Sequence, residues 1–196
     1  EMLVAVFKAK YGDRVSYTEG NFNSETGLPL SVFKMSDNAQ IGIYEMGMNR
    51  VNEIGEISKV LKSNYGIITN IGTAHIGILG SQKNIAKEKR KSFDYITENG
   101  AVFVPYDDKF SDFCTKNVKG QIIKYGTGVG VEDSGVEFIE NLGLRGSKFS
   151  VDGLEITLPI SGKYNYINAL GVIACARKLG VEKYYIKKGL ESLNKI

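Results

Sequence analysis

Glu45, His75 and Lys89 are the residues whose types and placement suit phosphate or metal chemistry. His75, the only histidine, lies five residues past Asn70. Asn70 ends the apolar run that starts Tyr65-Gly66-Ile67-Ile68-Thr69, which reads as a short buried strand. Glu45 ends a second run, Ile41-Gly42-Ile43-Tyr44, and Met46-Gly47 after it permits a sharp exit. Asn21 and Asn23, in Gly20-Asn21-Phe22-Asn23, follow a third run, Val15 to Thr18. A carboxylate and an imidazole at neighbouring strand ends suit a divalent cation. An oxygen-rich set with few side-chain ligands favours magnesium over zinc. Each residue also has a plain alternative: a glutamate on the surface, a histidine satisfied by a structural partner. Their common sheet edge is what favours a site.

Lys89 belongs to a helix predicted from Ser81 to Glu98. At about 100° per residue, Ile85, Phe93 and Ile96 share one face, and Lys89 falls in the middle of that stripe. Lys83, Lys87, Arg90 and Lys91 point elsewhere. A lysine in an apolar stripe either snorkels its stem outward or has a chemical task.

The elements that position these residues alternate. Strands are predicted at Arg14 to Thr18, Ala39 to Glu45, Tyr65 to Asn70, Ala101 to Pro105 and Gln121 to Lys124. Helices fall between them at Pro29 to Met35, Glu53 to Lys62, Ser81 to Glu98 and Lys109 to Lys116. This order predicts an α/β fold with a mostly parallel sheet flanked by helices. In such a sheet, ligands bind beyond the carboxyl ends of the strands. Over residues 128–160 the pattern changes to short alternating runs, with Asp152-Gly153 as a tight turn, and a small antiparallel subregion is expected. Helices at Asn165 to Leu179 and Glu182 to Leu193 close the chain. The whole, 1–196, reads as a single domain. It opens with Glu1-Met2-Leu3-Val4-Ala5-Val6-Phe7 already in helical period and uncapped, and it stops within or just beyond a helix. The expectation is a domain excised from a longer protein.

Composition narrows the function classes. With 42% hydrophobic and 24% charged residues, the chain is an ordinary globular protein. A net charge of +3 is too small for nucleic acid binding, which needs a concentrated basic face. The densest basic stretch, Lys83 to Lys91, reads as a solvated helix face. No apolar run approaches the roughly 18 residues that span a bilayer, and no signal peptide is visible. Cys114 and Cys175 form no CxxC pair and read as two free or buried thiols in a reducing cytoplasm.

Five motifs occur in an order that resembles the Mur ligase family. They are Gly20-Asn21-Phe22-Asn23-Ser24-Glu25-Thr26-Gly27-Leu28-Pro29, Glu45-Met46-Gly47-Met48-Asn49, Thr69-Asn70-Ile71-Gly72-Thr73-Ala74-His75, Gly80-Ser81 with Lys89, and Gly162-Lys163-Tyr164-Asn165-Tyr166-Ile167-Asn168-Ala169-Leu170. The first motif and the AHIGILGS segment are most similar to the MurF-type branch. The resemblance implies the central ATPase domain of an enzyme that phosphorylates a carboxylate with ATP and lets an amine displace the phosphate. For that branch the substrates are UDP-N-acetylmuramoyl-tripeptide and D-alanyl-D-alanine. It also implies a cytoplasmic monomer. By the same resemblance, Glu45 and His75 bind magnesium, and Lys89 matches the lysine that the family carbamylates. Asn165 and Asn168 lie near the adenine, and Asn21 and Asn23 lie in the segment near the acceptor.

The chain also departs from the family pattern. No GxxxxGK[ST] phosphate loop occurs in it. The expectation is that this loop precedes residue 1, and that the chain alone neither ligates nor holds ATP firmly. Tyr164 stands where the family usually has histidine, and Lys83 and Lys91 stand where acidic residues are common. Those two lysines read either as surface drift or as the mark of a paralogue with another substrate. Two rivals follow: a folylpolyglutamate- or cyanophycin-type ligase, and a nucleotide-binding protein that has lost its chemistry. AHIGILGS and GNFNSETGLP argue against the first, and the retention of Glu45, His75 and Lys89 together argues against the second.

Overall fold

The structure is a computed structural model that describes residues 1–127 and 135–193. The elements begin with α1 (Met2–Tyr11), β1 (Val15–Tyr17), α2 (Gly27–Phe33), β2 (Ile41–Ile43), α3 (Glu53–Leu61) and β3 (Tyr65–Ile67). They continue through α4 (Ile76–Leu79), α5 (Gln82–Lys89), β4 (Ala101–Pro105), α6 (Ser111–Thr115) and β5 (Gln121–Tyr125). The last five are β6 (Val136–Asn141), β7 (Ser147–Val151), β8 (Leu154–Leu158), α7 (Lys163–Lys178) and α8 (Lys183–Glu191). The strands form the orders β1-β2, β3-β4-β5 and β6-β7-β8. This is the expected mixed α/β fold with a small antiparallel sheet. Residues 128–134 of the expected antiparallel subregion lie outside the described residues.

Two compact units divide the chain: Glu1–Val15 with Tyr125–Ile196, and Ser16–Lys124. In the first, β6, β7 and β8 pair antiparallel, with Phe149 opposite Ile156 and Val151 opposite Leu154. Asp152 (φ 49°) and Gly153 (φ 77°) make the turn between β7 and β8. Positive φ at both central residues is what an Asp-Gly hairpin turn requires. Phe149, Val151, Ile156 and Leu158 are fully buried. Helices α1 and α8 pack through Val6, Ile186 and Leu190, all fully buried. Gly189 permits that packing, because a Cβ there would stand 2.3 Å from Val6 Cα.

In the second unit, β3 and β4 pair parallel in the register Tyr65↔Ala101, Gly66↔Val102 and Ile67↔Phe103. All five residues of β4 are buried. A strand covered on both faces has no polar face to alternate with, which is why this run is continuously apolar. The core gathers Met48, Ile54, Ile68, Ile71, Leu79, Ile85, Phe93, Ile96, Val102, Val104 and Cys114.

The expected strand Tyr65 to Asn70 is shorter, although Ile68 N–H still donates to Phe103 O at 3.0 Å. The long helix expected from Ser81 to Glu98 is also corrected. α5 ends at Lys89, and Arg90–Phe93 follow as a 3₁₀ turn. Ser92 Oγ donates to Lys89 O at 2.7 Å, the local side-chain bond that competes with the α-helical ladder. Phe93 and Ile96 are buried as the stripe predicted.

Candidate functional site

The end of β2 holds two of the expected residues together. Glu45 is exposed, and its N–H donates to Thr18 Oγ1 at 2.9 Å. Asn23 Nδ2 donates to Glu45 Oε1 at 3.2 Å, and Gly47 N–H donates to Asn23 O at 2.7 Å. A Cβ on Gly47 would meet the Asn23 side chain at 2.9 Å, so the close approach of the two loops needs glycine. Asn21 is exposed and takes part through its backbone, its carbonyl accepting from Asn23 N–H at 2.8 Å.

The segment leaving Glu45 is fastened by buried carboxylates. Glu53 is only 4% exposed, and its Oε2 accepts from Asn49 N–H at 2.6 Å and Arg50 N–H at 3.2 Å. Glu88, from α5, is 3% exposed. Its Oε1 accepts from Ile54 N–H at 3.2 Å, and its Oε2 accepts from Lys91 Nζ at 2.7 Å. Lys91 Nζ also donates to Asn52 Oδ1 at 2.9 Å. Lys91 is therefore a paired residue. Lys83 and Lys87 are exposed, as a solvated face predicts.

At the end of β3, Lys89 is half-buried and its Nζ donates to Asn70 O at 2.7 Å. Burial lowers its pKa below the usual lysine value, and the nearby Asp108 carboxylate partly opposes that. Asp108 Oδ2 accepts from Ile71 N–H at 2.8 Å, and Gln82 Nε2 donates to Ile71 O at 2.6 Å. His75 follows in an exposed loop with left-handed backbone (φ 66°), and its carbonyl accepts from Ile78 and Leu79 N–H, both at 3.0 Å. A non-glycine residue in that conformation is uncommon, and such strain concentrates at functional loops.

In the other unit, Asn165 is half-buried and its Nδ2 donates to Ser161 O at 2.7 Å, closing the first turn of α7. Asn168, three residues on, is also half-buried and on the same helix face. Tyr164 is exposed.

Among the described residues, no group of three or more His, Cys, Asp and Glu side chains gathers as a metal cage. Zinc would need such a cage, whereas magnesium takes one or two carboxylates beside substrate phosphates. An exposed Glu45 braced by Asn23 at a strand end fits that second donor set.

Sequence reasoning did not find Glu53, Glu88, Gln82 or Asp108. Glu53 in the first turn of α3 carries the signal of an acidic helix start. Glu88 and Lys91 are spaced as an i,i+3 pair. Neither signal reports burial.

Residues 1–176 match the Mur ligase middle domain family. The chain is 41% identical over 194 residues to UDP-N-acetylmuramoyl-tripeptide–D-alanyl-D-alanine ligase of Treponema pallidum, covering 97% of this chain and 40% of that protein. It is 34% identical over 195 residues to the Bacillus subtilis enzyme of the same name, covering 98% of this chain and 41% of that protein. A crystal structure of MurF from Acinetobacter baumannii superposes with a TM-score of 0.86 at 28% identity, over 100% of this chain and 43% of that one. The chain thus spans about two fifths of the length of the relatives it matches. By sequence and by fold it belongs to the Mur ligase middle domain family.

Proposed function

We propose that this chain is the middle domain of an ATP-dependent ligase that joins D-alanyl-D-alanine to UDP-N-acetylmuramoyl-tripeptide through an acyl phosphate. The observation that carries this reading is the placement of Glu45 just past β2 and of the Lys89 amine on the Asn70 carbonyl beyond β3, on a chain 41% identical to a ligase of that name. Glu45 and His75 would hold magnesium, which neutralises charge on the transferring phosphoryl group. Lys89 is suited to carbamylation: burial favours its neutral amine, the form that adds carbon dioxide, and the product is an anion suited to the same cation. Asn165 and Asn168 would face the adenine, and Asn21 and Asn23 the acceptor. The protein would act as a cytoplasmic monomer. No helix among the described residues is long and apolar enough to cross a membrane.

The test is phosphate release by the full-length protein carrying this domain, given ATP, magnesium and both substrates, beside Lys89→Ala. The expected result is dipeptide-dependent release that falls by at least about a hundredfold in the variant and recovers with short carboxylic acids. Absence of release from the folded wild type, with its phosphate loop present, would refute the reading.

A further inference from the structure

Beyond β3, the backbone of Ile71 is held on both of its flanking peptide planes. The Ile71 N–H donates to Asp108 Oδ2 at 2.8 Å, and the Ile71 carbonyl accepts from Gln82 Nε2 at 2.6 Å. Asp108 is itself tied down, because its Oδ1 accepts from Phe110 N–H at 2.9 Å. The Asn70 carbonyl, which shares its peptide plane with the Ile71 N–H, is the acceptor of the Lys89 amine at 2.7 Å. The loop then runs on to His75 and is fastened again at its far end. There Asn84 Nδ2 donates to Leu79 O at 2.7 Å, and Asn84 N–H donates to Ser81 Oγ at 3.2 Å.

Burial of Ile71 (4% exposed) and Leu79 (6% exposed) already anchors the loop to the core. Apolar packing is non-directional and does not set the rotation of a peptide plane. Hydrogen bonds to the peptide planes on either side of Ile71 do set them, and the one to a carboxylate is charge-assisted. The Asn70 carbonyl lies in the same peptide plane as the Ile71 N–H, so its aim follows from the Asp108 bond.

We propose that Asp108 and Gln82 are positioning residues, which clamp the Ile71 backbone and thereby fix where the Lys89 side chain and the His75 loop stand. The inference rests on the ligase reading above. Asp108→Asn keeps one acceptor oxygen but turns an amide N–H₂ towards a backbone N–H, so one of its two bonds is lost. Gln82→Ala removes the other jaw with little risk to the core, since Gln82 is not fully buried.

The experiment compares wild type, Asp108→Asn, Gln82→Ala and the control Asp112→Ala in the full-length protein, using phosphate release with ATP, magnesium and both substrates. Amide hydrogen exchange is measured on the same proteins. Both clamp variants should lose about ten- to hundredfold in kcat, with the KM for ATP unchanged and Asp112→Ala at the wild-type rate. Exchange should quicken over residues 71–79 while β4 stays protected. Unchanged kcat in folded Gln82→Ala overturns the proposal. Loss of protection across β4 as well would assign both residues to the fold alone and also overturn it. A silent wild type removes the ligase reading, and the catalytic purpose of the clamp with it.

Discussion

In the unit containing β7 and β8 the deep interior is Phe149, Val151, Ile156 and Leu158, and among the described residues no carboxylate or ammonium group is buried there. In the unit containing β3 and β4, the carboxylates of Glu53 and Glu88 are as enclosed as Ile54 and Ile68. Burying a charge is costly unless it is paired and hydrogen-bonded. Both carboxylates are, and their partners are backbone N–H groups at the start of α3 together with Lys91. The difference follows from what each region has to hold. A hairpin satisfies its own backbone across the ladder, and apolar packing suffices for its faces. A loop leaving a strand end has donors without ladder partners, and those are satisfied by side chains sent from elsewhere in the chain. Buried ionic groups therefore mark the part of the molecule where loops must stand in fixed places.

Each unit carries one buried thiol that reports its opening. Burial pushes Cys114 up to about 11 and Cys175 up to about 12, so both should resist alkylation at neutral pH until their own unit unfolds. Alkylation against urea concentration gives the two stabilities separately. The largest effect should come from Lys91→Met, which strands the Glu88 carboxylate and should cost about 3–5 kcal/mol at Cys114. Ile156→Ala should cost about 2–4 kcal/mol at Cys175 through the cavity it opens. If Lys91→Met proves the milder of the two, the buried pair is not what secures the loops and the contrast breaks. Gly189→Ala should cost about 1–3 kcal/mol, again at Cys175, because the new methyl meets the backbone of Val6.

The smallest expected effect has the opposite sign. Burial holds Lys89 below the usual lysine pKa, so its folded form binds fewer protons than its unfolded form in that window. Its charge costs stability at neutral pH, and the cost fades as pH rises from the lowered value to the ordinary lysine value. Lys89→Met should therefore be slightly more stable than wild type at neutral pH and lose that advantage in alkali, while releasing no phosphate. A variant less stable at neutral pH would show that the amine serves the fold and not the site.

Much of this molecule was settled by the sequence alone. The continuous apolar run of β4, the Asp152-Gly153 hairpin, the burial of Ile85, Phe93 and Ile96, and the placement of Glu45 just past a strand end all follow from residue type and period. These are local properties: side-chain periodicity reports which face is apolar, and turn chemistry depends on one or two φ angles. The tertiary structure alone decided the rest. Glu88 reaches Ile54 across 34 residues and Asp108 reaches Ile71 across 37, while the stop of α5 at Lys89 sets the direction of the 3₁₀ turn beyond it. No periodicity encodes such pairings, because a polar side chain that satisfies a distant backbone N–H reads in sequence like any solvated residue. Only the closed fold brings donor and acceptor within hydrogen-bonding distance and makes the difference between a surface charge and a buried anchor.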